Sequence, residues 1–143
     1  MRPSAWAVAP DFRPARRTGA LPRRCGYESA VERLSLAFGA LDAGSSRGFA
    51  GSFARSGVLV PWRPRSRAVR GRRALVAYAV HRIAAVDGWT LTRLETPRRR
   101  RGARAATYRL TVRVAENGAA VGDSVATLTL DCRSGLIDSL ARA

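Results

Sequence analysis

The segment ATYRLTVRVAENGAAVGDSVATLTL, residues 106–130, decides the fold. Within Ala106–Ala115, Tyr108, Leu110, Val112 and Val114 alternate with Thr107, Arg109, Thr111 and Arg113. Successive side chains of a strand point to opposite faces, so this alternation predicts an antiparallel strand buried on one side. Ser124–Leu130 repeats the pattern, with Ala126, Leu128 and Leu130 against Val125, Thr127 and Thr129. Between them, Asn117-Gly118 is the strongest short-range hairpin signal, because both residues accept the positive φ of a tight turn.

The reading extends in both directions from this hairpin. After it, a turn at Cys132–Gly135 leads into a last strand, Leu136–Ala141. Before it, the turn PRRRRGAR is preceded by Trp89–Glu95, where Trp89, Leu91 and Arg93 oppose Thr90, Thr92 and Leu94. Four antiparallel strands therefore close the chain. The first half is helical. Val31, Leu34, Phe38 and Leu41 recur at i, i+3, i+7 and i+10, one face of a helix. Ser29 with Glu32 three residues on predicts a capping box at its start, and Gly44 suits the left-handed position past its end. A short helix over about 47–54 carries Phe49 and Phe53 one turn apart, both expected inward. GVLVP (57–61) reads as a short buried strand, and ALVAYAVHRIAAV as a third helix with Val76, Val80 and Ile83 on one face. Helices on one side of a curved antiparallel sheet make an α+β layer design.

Composition sets the class. A chain of 143 residues is one domain's worth and can bury a core of its own. Residues 1–27 hold Pro3, Pro10, Pro14 and Pro22 and no helical or strand period, which reads as a disordered basic head before a domain over 28–143. No apolar run approaches a membrane span of about 20 residues. No continuous apolar export core follows Arg16-Arg17, so a soluble, cytoplasmic protein without membrane association is expected. Cys25 and Cys132 have no second Cys or His nearby, which makes no zinc pattern and leaves two free thiols in a reducing compartment as the expectation.

The net charge is +16, and all 26 basic residues are arginine. The head carries +5 and the remainder +11. An excess of this kind suits an anionic partner such as nucleic acid. Arginine without lysine, amid abundant Ala and Gly, is also what a GC-rich coding sequence yields. The runs Arg63–Arg73 and Arg98–Arg101 fall in two loops with no interleaved aromatics, so base stacking is not signalled. A solvated arginine rim is the reading adopted, with a basic nucleic-acid- or anion-binding module kept as the weaker alternative.

The element order and three motifs resemble the nuclear-transport-factor-two-like superfamily, in its SnoaL-like and ketosteroid-isomerase-like branch. LDAGSSRGFAGSFARSGVLVPW (41–62) resembles that family's passage from first helix to first strand. Gly71–Tyr78 resembles its approach to the third helix, and TLTLDCRSGLIDSLARA (127–143) its last hairpin. The resemblance covers about residues 29–143. It implies a cone, a strongly curved sheet wrapped around N-terminal helices with a pocket at the open end. It also implies a homodimer through the sheet face. Members of that fold are isomerases, dehydratases, epoxide hydrolases, cyclases and non-catalytic accessory domains, so fold alone does not give function.

Residue by residue, the isomerase chemistry does not carry over. The alignment implied by the resemblance puts its tyrosine at Ala37, its base at Pro61 (or Val60) and its oxyanion-stabilising acid at Ala126. All three are inert, and losing one such donor costs on the order of a hundredfold in rate. Other polar groups remain as catalytic candidates. His81, the sole histidine, lies three residues from Tyr78 on one helix face, where an imidazole beside a phenol could act as acid and base. Asp123 lies in a segment the family often turns inward. Phe38, Phe53, Trp62, Trp89, Tyr108 and Leu128 are the expected pocket lining. No metal or organic cofactor is expected, since neither a ligand cluster nor a phosphate-cradling glycine loop is present. The leading expectation is a domain that binds a small apolar organic molecule, with isomerase-, cyclase- or dehydratase-type turnover possible through His81, Tyr78 and Asp123. The alternative is a non-catalytic accessory or dimerisation domain.

Overall fold

The central hairpin is the middle of the architecture. The fold was obtained as a computed structural model, which describes residues 6–8, 23–61, 67–83, 87–95, 104–116 and 119–142. In chain order these form β1 (Trp6–Val8), a 3-10 turn (Arg23–Cys25), α1 (Tyr27–Asp42), α2 (Ser46–Gly51), β2 (Phe53–Val60), β3 (Val69–Arg70), α3 (Arg72–Ile83), β4 (Asp87–Leu94), β5 (Ala105–Glu116), β6 (Ala119–Asp131) and β7 (Ile137–Arg142). One sheet of seven strands results, in the order β1-β4-β5-β6-β7-β2-β3. It is curved and unclosed, and mostly antiparallel. β1 on β4 and β2 on β7 are its parallel pairs.

β5 and β6 pair from Ala105↔Asp131 to Glu116↔Ala119, as the alternation predicts. Residues 117–118 lie outside the described residues. Tyr108, Leu110, Val112, Ala126, Leu128 and Leu130 are buried against the helices. Arg109 and Arg113 are exposed on the other face, and Thr107 and Thr129 share a hydroxyl hydrogen bond of 3.2 Å there. In β4 the alternation breaks. Thr92 is an extra residue between the pairs Leu91↔Val112 and Arg93↔Thr111. This bulge moves Leu94 to the buried side with Trp89 and Leu91, while Arg93 stays exposed. The Thr92 hydroxyl donates to the Thr111 carbonyl at 3.1 Å within the bulge.

A second irregularity bends β2 between Phe53↔Ile137 and Val58↔Ser139. Gly57 lies inside it. A Cβ there would stand 2.8 Å from the Phe53 Cβ and 2.9 Å from the Ala54 carbonyl oxygen, so the crossing needs a residue without one. β2 thus begins at Phe53, four residues before the expected start, and shortens α2 to Ser46–Gly51.

Helix α1 buries Ala30, Leu34, Ala37, Phe38 and Leu41 and ends where expected, with Gly44 at φ +77°. Its start differs. The N-cap is Gly26, in extended conformation and without a side-chain cap, so the expected Ser29 box is not used. Ser29 instead lies in the first turn, because Cys25 is anchored and the helix begins directly after it. Helix α3 also differs: it buries Leu75 and Ala79, and Val80 is 55 % exposed. α3 packs on α2 and the β2–β3 edge, which turns the neighbouring stripe inward.

Two stretches of the head expected to lack order belong to the fold. Trp6–Val8 pairs with Trp89–Leu91, and Arg23–Cys25 forms the turn before α1. The cysteine expectation is corrected outright. Cys25 and Cys132 form a disulfide across 107 residues, with Cα atoms 4.7 Å apart, and the described residues contain no free cysteine. The two were read as isolated because they are remote in sequence, but strand pairing carries the β6–β7 turn to the foot of α1. The expectation of a reducing compartment rested on free thiols and loses that ground. Among the described residues, no helix is long and apolar enough to cross a membrane.

Candidate functional site

The space between helices and sheet is where a pocket is expected, and its contents are aromatic. Phe38 of α1 lies 5.0 Å from Trp89 of β4 and 5.8 Å from Phe49 of α2, centroid to centroid. Phe49 lies 5.2 Å from Phe53 and 6.0 Å from Tyr78. These separations are those of packed rings. Five of the six expected lining residues, Phe38, Phe53, Trp89, Tyr108 and Leu128, are 5 % exposed or less and belong to one continuous core. Trp62 lies outside the described residues.

Among the described residues, two hydroxyl groups are buried in this interior, and both are hydrogen-bonded. Ser52 is buried, and its hydroxyl donates to the Gly48 carbonyl at 3.3 Å. Tyr108 is fully buried, and its hydroxyl donates to the Cys25 carbonyl at 2.6 Å. The Tyr27 ring meets the Tyr108 ring edge-on at 6.4 Å. Burial, and secondarily the nearby Tyr27, pushes the Tyr108 phenol up from 10.0 to about 12. A phenol so held is a poor acid or base near neutral pH and serves as an anchor.

That anchor gives a pH prediction. The folded-state value exceeds the unfolded one, so the folded state holds this proton more tightly. The resulting stability is complete below about pH 10 and is lost as pH rises towards about 12. Denaturant unfolding between those pH values should show a decline of up to about 2–3 kcal/mol from this group. Tyr108→Phe should remove that part of the slope. An unchanged alkaline slope in the variant would refute the assignment.

The catalytic candidates do not converge. Tyr78 is half-buried with its ring on Phe49, whereas His81, near the C-terminal end of α3, is exposed. Asp123 is exposed on the sheet face turned away from the helices, with its Oδ1 3.9 Å from Nε of its cross-strand neighbour Arg113. Sheet and core thus separate the carboxylate from α3. The positions aligned with the isomerase groups, Ala37, Pro61 and Ala126, are all buried and bring no polar side chain. No group of three or more His, Cys, Asp or Glu that could hold a metal occurs among the described residues.

Sequence reasoning missed the cluster at the foot of α1. The Cys25–Cys132 bridge, the Tyr108–Cys25 bond, a bond of 2.5 Å from Arg24 Nη1 to the Arg133 carbonyl and one of 2.9 Å from Arg33 Nε to the Gly135 carbonyl converge there. The β6–β7 turn opposite is built by Asp131. It accepts from the Arg133 amide at 2.9 Å and from the Ser134 hydroxyl at 3.0 Å, and these bonds hold its carboxyl below its ordinary value. The only sequence signal was that two cysteines are enough for one pair.

No protein-family model matches the chain, and no curated protein matches it. Solved structures do. A domain of unknown function with a cystatin-like fold from Nostoc punctiforme is 18 % identical, with 81 % of this chain and 75 % of that one covered at a TM-score of 0.64. A candidate calcium/calmodulin-dependent protein kinase II association domain from Xanthomonas campestris is 19 % identical, covers 87 % and 91 %, and scores 0.63. SalBIII, an epoxide hydrolase/cyclase-like enzyme of pyran ring formation in the polyether salinomycin, is 17 % identical, covers 80 % and 89 %, and scores 0.58. Helices on one face of a curved, open, mostly antiparallel sheet give this chain the nuclear-transport-factor-two-like fold.

Proposed function

We propose that this chain is a non-catalytic SnoaL-like association domain that pairs with a second copy through the outward face of its sheet. One observation carries the reading. Among the described residues, the interior rings pack against one another, and the buried hydroxyls of Ser52 and Tyr108 are bonded to backbone carbonyls, which supports a structural role for both. The outward face suits an interface. Thr107, Thr111, Val125, Thr127 and Thr129 lie on adjacent strands around Arg109, which pairs with Thr127, and are flanked by Arg113 and Asp123. A two-fold contact would let Arg113 of one copy face Asp123 of the other. The Xanthomonas neighbour, described as an association domain, agrees with this use of the fold.

Sedimentation at micromolar concentration should give a dimer, and Thr127→Arg should give a folded monomer. A wild-type chain that remains monomeric at hundreds of micromolar would sink the proposal. A second reading, binding of a small apolar molecule, is favoured by the ring cluster Phe38, Phe49, Phe53 and Trp89. Saturable Nile red fluorescence with the folded chain, lost in Phe38→Asp without loss of fold, would support it. Turnover abolished by His81→Ala or Asp123→Asn would overturn the non-catalytic reading.

A further inference from the structure

Outside the interior, a cleft of about 240 Å³ opens between α1 and the β6–β7 turn. Ser29, Glu32, Arg33 and Leu36 form one wall, at i, i+3, i+4 and i+7 on the α1 face opposite the buried one. Ser134 and Gly135 of the turn form the other, and Arg24 closes an end. At about 30 Å³ per water, this volume holds several waters or a small organic ion.

Two observations make it more than a surface dent. Both guanidinium groups are fixed before any ligand arrives, Arg33 on the Gly135 carbonyl and Arg24 on the Arg133 carbonyl. Each bond uses one of the five N–H donors of the fork. In addition, the bridge joins Cys25, next to Arg24, to Cys132, at the start of the turn, so two of the three cleft segments are covalently tied. A pre-positioned arginine pair favours a phosphate, which takes bidentate bonds from such forks. Glu32 sets a second requirement. Its carboxylate stands in the same wall as Arg33 and would repel a bare anion, but it would accept from a cation or hydroxyl on the same ligand. Ser134 adds little, since its hydroxyl already donates to Asp131 and accepts from the Leu136 amide. Leu36, 53 % exposed, offers an apolar contact for a short carbon linker.

We propose that this cleft binds a small organic phosphate bearing an ammonium group, its phosphate on Arg24 and Arg33 and its ammonium on Glu32. The geometry assigns the two ends of the ligand to opposite charges on one helix turn and the adjoining segment. The site is separate from the interior and from the outward sheet face, so it stands whether or not the chain dimerises.

The test is calorimetric titration of the full chain, at fixed ionic strength, with phosphoethanolamine, ethyl phosphate and inorganic phosphate. One-site binding of phosphoethanolamine is expected, about tenfold tighter than ethyl phosphate, because a charge-assisted bond at Glu32 is gained. Glu32→Gln should abolish that preference. Arg33→Gln should weaken all phosphate binding about tenfold or more. Arg33 also braces the turn, so Arg24→Gln, at an exposed residue, is the second variant, with melting curves recorded for both. Equal binding of all three probes, insensitive to Glu32→Gln, would overturn the proposal and assign the signal to the arginine-rich surface. So would the absence of saturable binding.

Discussion

A chain carrying Cys25→Ala and Cys132→Ala is expected to lose about 2–5 kcal/mol of unfolding free energy. The bridge closes 107 residues, most of the chain, and a cross-link of that span removes much of the freedom of the unfolded state. The chain-entropy account puts a loop of about 100 residues near 4.7 kcal/mol, towards the top of the usual range. A local term adds to this. Cys25 is fully buried, and its carbonyl receives the Tyr108 hydroxyl, so loosening the turn also loosens a buried hydrogen bond. Urea unfolding of the wild type, oxidised and reduced, measures the effect beside the double variant. Reduced wild type and variant should agree. A loss below about 1 kcal/mol in both would show that strand pairing alone holds the foot of α1.

Phe49→Ala is expected to cost about 3–5 kcal/mol, the range for removing a fully buried ring. Phe49 is 0 % exposed and stacks among Phe38, Phe53 and Tyr78, so it joins α1, α2, α3 and β2. Leu36→Ala on the same helical layer, at an exposed site, should stay within about 0.5 kcal/mol. The contrast bears on function. A ring facing an empty chamber would give up fewer contacts when truncated, and a cost for Phe49→Ala below about 2 kcal/mol would point to open space beside it. Thermal or denaturant unfolding of both variants decides between a filled interior and a container.

Much of the fold was legible because its signals are local. The alternation of Tyr108, Leu110 and Val112 against Arg109 and Arg113 needs only neighbours to be read. What escaped depends on distant segments. No feature of LTRLE announces that Thr92 is the extra residue that carries Leu94 inward; the partner strand β5 decides it. The face of α3 was misplaced by one position, since Val76, Val80 and Ile83 make as good a stripe as Leu75 and Ala79 until α2 is in place. WAV near the N-terminus is too short to carry a period, and only the exposed edge of β4 makes it a strand. The candidate site shows the same division. That Ala126 faces inward followed from the alternation, whereas the separation of His81 from Asp123 followed from which side of the sheet each residue reached.

The ends of the sheet bear on how this chain could associate. Its outermost strands are β1, three residues long, and β3, two residues long. A rim of that length displays few unmatched backbone donors and acceptors, so it templates little additional strand. Growth by rim-to-rim addition, the route of open-ended fibres, is therefore poorly supported at either end.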